Sequence, residues 1–352
     1  MKPAVEPARR AARTRDGLVK RSTLVRRLTG SRDATLVVIV APPGYGKSSL
    51  LSEWADHDPR PFVWLAPETL ESVDLRSTAD AILAPADDRG EFVVVLDDAH
   101  LAPPQAVRDL LEMLLAELPA GAMVAFSSRT EPPLPLGRLR ARRGLIEVRV
   151  PELAMMPAEA SLVLRQAGLE VDFTTVQALV RRTEGWPAGL YLAALSVGAQ
   201  PDAAGALSRL RGDDHHLAEY FREEVLSALP PDLTEFAVQT SVLDELSGPL
   251  CDAVLETRGS ALTLSRLEHA IALLRPLDPA HELYRWHGLF RDALGAELRR
   301  TAPELVQVLH ERACAWYEAH GDTDRAISHA VSARDLVHAG DLLWGSIVGY
   351  VT

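Results

Sequence analysis

The sequence predicts an α/β domain with a parallel, three-layer sheet, followed by modules that are almost entirely helical. Two observations lead to this fold class. Up to about residue 150, short apolar runs typical of buried parallel strands alternate with helical patterns. After Pro151 the apolar residues recur at helical spacing, and a single hairpin pattern interrupts the helices.

Length and composition indicate a globular protein of two or three domains, with 352 residues, 47% of them hydrophobic and 24% charged. The net charge of −12 disfavours a surface that coats nucleic acid. No apolar run approaches the ~20 residues of a membrane helix, and no secretory signal follows the N-terminal arginines. Cys251 and Cys314 are expected to be reduced core residues, so we expect a cytoplasmic protein.

A phosphate-binding loop is predicted after the first strand. Residues 35–40 are β-branched or aliphatic, a turn-forming segment follows over residues 41–46, and a helix opens at Lys47. This order of strand, small-residue loop, Gly-Lys-Ser and helix is that of P-loop NTPases. The general pattern has glycine where this chain has Ala41. A Gly/Pro turn that carries a lysine is the alternative interpretation.

Each residue type in this loop suits a triphosphate with Mg²⁺. Gly44 and Gly46 allow backbone N–H groups to turn inward, and the helix directs its positive dipole end at the phosphates. Lys47 would reach the β- and γ-phosphates, and the Ser48 hydroxyl would bind Mg²⁺. The predicted nucleotide-binding residues of this loop are Pro43, Gly44, Tyr45, Gly46, Lys47, Ser48 and Ser49.

The segment before the first strand begins with a basic arm. Residues 1–32 contain ten Lys or Arg and two Asp or Glu, and a solvated tail is a simpler interpretation of them than a binding surface. Residues 18–28 predict a short helix that packs beside the adenine, with Arg21 as a candidate nucleotide contact.

A second phosphate-site motif follows about fifty residues after Lys47. Residues 92–96 predict a buried strand that ends in Asp97 and Asp98, which is a Walker B pattern. Asp97 would hold Mg²⁺ through its water shell, and Asp98 would orient or polarise the attacking water. An Asp-Asp turn after a strand is the alternative.

The remaining strands complete the predicted sheet. Strands are expected over residues 61–66, 123–127 and 146–150, with helices over residues 73–83 and 107–118 and a Pro-rich turn with a basic helix over residues 132–143. Arg129, directly after the fourth strand, is a candidate sensor of the γ-phosphate. A surface arginine in a loop is the alternative.

The helical part of the chain predicts three further modules. Helices are expected over residues 157–167, 173–183, 187–197, 217–229, 232–240, 250–255 and 261–268, with a linker over residues 198–214. Strands over residues 272–277 and 282–286 then form a hairpin, which together with the short helices before it indicates a winged helix. Helices over residues 304–320, 323–333 and from 336 onward suggest the start of a TPR-like repeat array.

These motifs together resemble the large ATP-binding LuxR-type transcriptional regulators related to MalT, members of the STAND class of P-loop NTPases. The resemblance rests on the segments APPGYGKS, LDDAH, SSR with PPLPL and RLR, EGWPAGL and YRWHGLFR, at residues 41–48, 96–100, 127–140, 184–190 and 284–291. It implies that Pro187 packs on the adenine and that His287 touches the β-phosphate of ADP in a closed state. Without it, His287 reads as a core histidine.

The resemblance also implies a division of the chain. The expected ranges are a basic arm and adenine-side segment over 1–33, a P-loop domain over 34–151, a helical domain over 152–200, a winged helix over 201–300 and the first repeat helices over 301–352. The family continues through a long repeat region to a helix-turn-helix domain, which has no counterpart after Glu304. We therefore expect the N-terminal portion of a larger regulator or a truncated relative.

The predicted function is an ATP/ADP switch that regulates transcription. ATP is expected to drive self-association, slow hydrolysis to reset it, and an inducer or regulatory protein to act through the repeats. DNA would be bound only through the helix-turn-helix, because acidic residues surround the winged helix. The alternatives are a stand-alone P-loop ATPase or kinase and a non-hydrolysing nucleotide-binding scaffold. A kinase would consume ATP rapidly only when an acceptor is added.

Overall fold

The computed structural model describes residues 19–71, 73–83, 91–141, 144–198, 202–271 and 273–351. The chain divides into two compact units, the first ending at Ser208 and the second beginning at Arg209. Four predicted features lie wholly or partly outside the described residues: the basic arm over 1–18, the end of the basic helix at 142–143, the linker at 199–201, and the start of the hairpin at Ala272.

The first unit is built on a five-stranded sheet in which every pairing is parallel. The strands lie in the order β2-β3-β4-β1-β5. β1 lies inside the sheet between β4 and β5, as expected for a strand whose five side chains are all aliphatic and buried. The predicted α/β fold with a parallel sheet is confirmed. The strands are β1 Leu36–Val40, β2 Phe62–Leu65, β3 Val93–Leu96, β4 Met123–Ser128 and β5 Leu145–Val148.

The helices of the first unit alternate with these strands and then continue without them. Around the sheet they are α1 Ser22–Gly30, α2 Lys47–His57, α3 Leu75–Leu83, α4 Pro104–Glu117 and α5 Gly137–Ala141. After β5 they are α6 Val150–Leu153, α7 Pro157–Gln166, α8 Phe173–Thr183, α9 Pro187–Val197 and α10 Ala203–Ser208.

The sheet register brings three strand ends to one edge. Val40 at the end of β1 is paired with Ser128 at the end of β4, and Leu96 at the end of β3 is paired with Phe126. β3 ends two residues before β4, so Asp97 lies beside Ser127, and the residues after all three strands lie at the carboxyl edge where parallel α/β sheets bind ligands.

The prediction of a linker over residues 198–214 is wrong in part. Residues 203–208 form the helix α10, and the Asp202 side chain accepts a hydrogen bond of 2.8 Å from the N–H of Gly205 in its first turn. Leu207 is buried in the unit. The Gly/Ala-rich composition suggested a flexible segment, but a capping acid and one buried leucine suffice for a short helix.

The second unit contains a three-stranded antiparallel sheet with the order β6-β8-β7. Its strands are β6 Leu246–Ser247, β7 Leu274–Pro276 and β8 Leu283–Trp286. Its helices are α11 His215–Glu224, α12 Pro231–Gln239, α13 Gly248–Leu255, α14 Ser260–Ala270, α15 Gly288–Thr301, α16 Pro303–Ala319, α17 Thr323–Ser332 and α18 Leu336–Val351. The predicted hairpin is confirmed. The third strand, β6, was not predicted, because two residues are too few to show the alternation of a strand.

The helix α15 anchors the sheet of the second unit to its helices. Phe290 is fully buried, and its ring centroid lies 5.2 Å from that of Phe221 and 5.6 Å from that of Trp286. Aromatic pairs at these separations add to the free energy gained from burial. Cys251 and Cys314 are both unpaired thiols and both buried. No described helix is long and apolar enough to cross a bilayer.

Candidate functional site

The loop between β1 and α2 has the backbone conformation that a phosphate site requires. Gly44 and Gly46 have φ values of +78° and +77°, which L side chains rarely adopt. Gly46 also precedes the first residue of α2 and leaves the N–H groups of the first turn without a side-chain cap. Those N–H groups, with the dipole of the helix, remain available to an anion.

Lys47 lies folded over this loop with only 6% of its surface exposed. Its Nζ donates to the carbonyl oxygens of Ala41 at 2.8 Å and Pro42 at 3.1 Å. Burial lowers the pKa of Lys47 from 10.5 to about 8, opposed by the Asp98 carboxylate and reinforced by Arg129. A phosphate oxygen would replace neutral carbonyl partners by an anionic one, which a buried ammonium favours.

The carboxylate of Asp97 is held at the end of β3. Its Oδ1 accepts a short hydrogen bond from the hydroxyl of Ser127, at the end of β4, and another of 3.1 Å from the backbone N–H of Asp98. Ser127 is fully buried and was not among the predicted site residues. An oxygen donor fixed beside the phosphate loop fits the coordination preferences of Mg²⁺.

Asp98 stands in a left-handed conformation with φ +50° and opens the 3₁₀ turn Ala99–Leu101. Burial raises the pKa of Asp98, and the neighbouring Asp97 adds to the rise, whereas Lys47 and Arg129 oppose it. A half-buried carboxylate with a perturbed pKa in a cleft is characteristic of functional sites.

His100 is a site residue within the motif of residues 96–100, and no role was predicted for it. Burial lowers its pKa to about 4, with contributions from Arg129 and Lys47, so the imidazole is neutral at pH 7. Its Nδ1 is buried and, within the described part of the chain, makes no hydrogen bond; it lies 3.9 Å from Oδ1 of Asp98. The only sequence signal was a polar side chain two residues after Asp98, the second Walker B acid.

Arg129 follows β4 and is half-buried. The N–H of Ala41, the first residue after β1, donates to the carbonyl of Ser128 at 3.4 Å, which places Arg129 beside the start of the phosphate loop. Its charge contributes to the pKa shifts of Lys47, Asp98 and His100. The fold thus brings Lys47, Asp97, Asp98 and Arg129 into one electrostatic cluster.

The segment before α9 is attached directly to the phosphate loop. The indole Nε1 of Trp186 donates to the carbonyl of Pro43 at 3.0 Å, and the N–H of Ala188 donates to the carbonyl of Gly44 at 3.1 Å. Pro187 lies between these two residues and begins α9. Trp186 and Ala188 were not predicted as site residues, because the motif alone did not show which of its groups face the loop.

Arg21, a predicted nucleotide contact, has defined partners within the protein. The guanidinium of Arg21 donates to the carbonyls of Leu153 and Glu152, both at 2.6 Å, and lies 3.4 Å from Glu159. The N–H of Arg21 donates to Glu53 at 2.8 Å. Arg21 therefore fixes the start of α1 to the segment after β5, and its contact with the nucleotide stays a prediction.

The other predicted residues of the loop divide by burial. Tyr45 is 1% exposed, so its backbone N–H and not its ring would face a ligand. Pro43, Ser48 and Ser49 are half-buried. In the second unit, His287 is fully buried, directly precedes α15, and donates its N–H to the carbonyl of Leu273 at 2.8 Å. Its contact with a phosphate stays a prediction.

The lowered pKa of Lys47 predicts how nucleotide affinity depends on pH. Between about pH 8 and 10.5 the folded, nucleotide-free protein holds fewer protons than the unfolded chain, so its stability rises with pH. Phosphate binding requires the ammonium and must recover that proton. We expect the dissociation constant for ATP to rise above pH 8, by up to about tenfold per pH unit.

Isothermal titration calorimetry from pH 7 to 9.5 tests this pH dependence. The control is Lys47→Arg, because a guanidinium stays charged throughout the range. Its affinity, whatever its absolute value, should not change with pH. A flat profile for the unmodified protein, or the same slope in the arginine variant, contradicts the assignment.

The comparisons with known proteins agree with this geometry. Residues 222–306 match the MalT winged helix domain family. The chain is 31% identical over 364 residues to the serine/threonine-protein kinase PknK of Mycobacterium tuberculosis, covering 93% of this chain and 33% of that protein. It is 27% identical over 336 residues to the HTH-type transcriptional regulator MalT of Vibrio parahaemolyticus, covering 85% and 37%. The chain thus spans about a third of the length of these relatives.

A solved structure supports the fold. The Walker-type ATPase PABY2304 of Pyrococcus abyssi superposes with a TM-score of 0.58 at 14% identity, covering 80% of this chain and 96% of that one. With the phosphate loop, the Walker B acids and the match to the MalT winged helix in place, the resemblance to MalT-type regulators is confirmed: the chain is MalT-like, and its first unit has the fold of a P-loop NTPase.

Proposed function

We propose that this chain is the nucleotide-controlled switch of a transcriptional regulator, closed with ADP and self-associating with ATP. The relative named as a regulator supports the biological role, and the phosphate loop supports the nucleotide. An inducer or regulatory protein would act through the last helices. DNA contact is assigned to a helix-turn-helix region and not to the winged helix, because residues 201–300 contain seventeen acidic and ten basic side chains, the acids including Asp232, Glu235, Asp244, Glu245 and Asp252.

One observation carries the switch: the phosphate loop and the helical segment share hydrogen bonds. Trp186 and Ala188 donate to the carbonyls of Pro43 and Gly44, in the loop whose backbone N–H groups from Gly44 onward would bind the phosphates. A change in the loop on gaining or losing a γ-phosphate therefore acts directly on the start of α9.

Different residues would contact the phosphates, the Mg²⁺ ion and the attacking water. Backbone N–H groups from Gly44 to Ser49 bind phosphate oxygens, and Lys47 exchanges two carbonyl acceptors for an anion. Ser48 and Asp97 would hold Mg²⁺, which when bound neutralises phosphate charge. Asp98 would accept a hydrogen bond from the attacking water during slow hydrolysis.

Recognition of the nucleotide state depends on three further side chains. Arg129 would contact the γ-phosphate, and Pro187 would pack on the adenine. His287 joins the proposal on the resemblance alone, as the contact for the β-phosphate of ADP. Exchange of ADP for ATP must move the chain from mostly closed to mostly open. The preference of the bound nucleotide for the open form, measured as binding free energy, must therefore change by on the order of 5 kcal/mol.

The nucleotide that co-purifies with the protein tests the proposal. We expect ADP, bound at close to one equivalent and retained through dialysis, and its loss in His287→Ala. His269→Ala is the matched control, because His269 is an exposed histidine of the same unit. Thermal melting of both variants separates loss of the ligand from loss of the fold.

Two results would contradict the switch. The first is a nucleotide-free protein that binds neither ADP nor ATP. The second is ADP held equally well by His287→Ala and by the unmodified protein, with ATP producing no change in sedimentation. Fast ATP consumption that needs an added acceptor would instead indicate a kinase.

A further inference from the structure

Three side chains that commonly bind transition metals converge on one face of the second unit. Cys314 and Glu318 lie one turn apart on α16, and His338 lies on α18. The thiol sulfur, a carboxylate oxygen and an imidazole nitrogen all lie within 4.8 Å of one another. Nε2 of His338 is 3.1 Å from Oε2 of Glu318. They line a cavity of about 120 Å³, to which Glu311 and Asp335 also contribute.

The backbone fixes this convergence. A spacing of four residues puts Cys314 and Glu318 on the same face of α16. Asp335 holds the start of α18, because its carboxylate accepts from the N–H of His338 at 3.0 Å and its own N–H donates to Ala330 at 3.0 Å. Ala330 and Ala333 line the cavity with small side chains and leave room for an ion.

We propose that Cys314, Glu318 and His338 form a binding site for Zn²⁺. Sulfur, imidazole nitrogen and carboxylate oxygen are the donors that Zn²⁺ takes in proteins. Two N or O ligands at about 2.0–2.1 Å from one tetrahedral ion stand about 3.3 Å apart, close to the observed separation of His338 and Glu318. The thiol disfavours Mg²⁺ and Ca²⁺, which bind oxygen ligands.

These ligands suit an exchangeable Zn²⁺ ion and not a permanently bound structural one. It supplies three protein ligands and leaves a fourth position for water, whereas structural zinc sites are closed by four. Cys314 is 3% exposed, but the side chains of Glu318 and His338 are 48% and 40% exposed. A bound ion would link α16 to α18, so metal occupancy would tie together the last helices of the chain. This inference does not depend on the nucleotide switch.

A second cluster of possible ligands must be removed before the site is tested. His215, His216 and Glu219 also bring their ligand atoms within 4.8 Å of one another, but they lie on a single helix and are more exposed. Exposed histidines of this kind bind metal ions weakly and adventitiously. The test therefore uses the full chain carrying His215→Ala and His216→Ala as its reference protein.

Titration of the metal-free reference protein with Co²⁺ under reducing conditions tests the proposal. We expect one equivalent to produce a thiolate-to-cobalt charge-transfer band and tetrahedral ligand-field bands, both displaced by Zn²⁺. Cys314→Ser should lose the charge-transfer band. Glu318→Gln and His338→Ala should weaken Co²⁺ binding by at least the roughly 10- to 100-fold that loss of a supporting partner costs.

The metal binding of the variants shows whether Cys314, Glu318 and His338 form the site. Glu318→Gln alters a half-exposed side chain, so a folded variant with an unchanged melting temperature and weakened metal binding supports the site. Absence of the charge-transfer band in the reference protein overturns the proposal. So does an unchanged band in Cys314→Ser, since the thiolate would then belong to Cys251. Binding equal in all variants also overturns it.

Discussion

Replacing Lys47 with alanine should lower the affinity for ATP and ADP by at least about 100-fold. The Nζ of Lys47 makes two hydrogen bonds within the loop, both to acceptors that a phosphate can replace. Hydrogen bonds to charged groups contribute about 1.5–3 kcal/mol each, and two of them correspond to a factor of about 100 or more in binding. Calorimetric titration with each nucleotide measures the loss.

The matched control is Lys20→Ala. Lys20 is exposed and lies just before α1, so its removal changes the charge of the chain equally without touching the loop. Nucleotide should raise the melting temperature of this control as it does that of the unmodified protein. A Lys47→Ala variant that keeps the same nucleotide-dependent rise in melting temperature would exclude the loop as the binding site.

Lys47→Ala should be no less stable than the unmodified protein when nucleotide is absent. The lowered pKa of Lys47 means that folding disfavours its charged form at pH 7, because burial removes the ammonium from water. Alanine removes this unfavourable contribution together with the two hydrogen bonds to carbonyls. A lysine kept in such a place at a cost to stability is expected where binding needs the charge.

Local sequence patterns were sufficient for the phosphate loop and the Walker B strand. The aliphatic run of β1 favours a buried strand, and Gly44 and Gly46 tolerate positive φ, because both preferences belong to the residue types themselves. The proximity of Asp97 and Ser127 was harder to foresee. It depends on the pairing of β3 with β4, which only the folded sheet fixes.

Contacts between distant segments were not predictable from periodicity. The hydrogen bond from Trp186 to Pro43 spans 143 residues, and no local pattern indicates which polar group of a buried tryptophan finds a partner. The two-residue strand β6 was missed because alternation needs more residues to be visible. Helix α15 was not predicted, because its first turn lies within the segment YRWHGLFR, which begins in the second strand of the hairpin.

Replacing Gly185 with alanine should destabilise the first unit by ~3 kcal/mol or more. Gly185 has φ +71°, and a Cβ at this position would lie 2.8 Å from the carbonyl oxygen of Met155 and 3.0 Å from its nitrogen. Both are backbone atoms, and the N–H of Met155 donates to the carbonyl of Gly185 at 2.8 Å. The turn cannot move away without breaking this bond. Thermal unfolding measures this loss of stability. The transition of the first unit is the one whose midpoint temperature nucleotide shifts.

Gly168→Ala separates the two causes of that loss. Gly168 has φ +82° in the same unit, but a Cβ there would meet no atom within 4 Å. Its replacement should therefore cost only the left-handed backbone, about 1–2 kcal/mol. Equal losses in the two variants would show that the approach of Gly185 to Met155 is unimportant. A larger loss at Gly185, accompanied by weaker ATP binding, would show that this turn holds Trp186 against the phosphate loop.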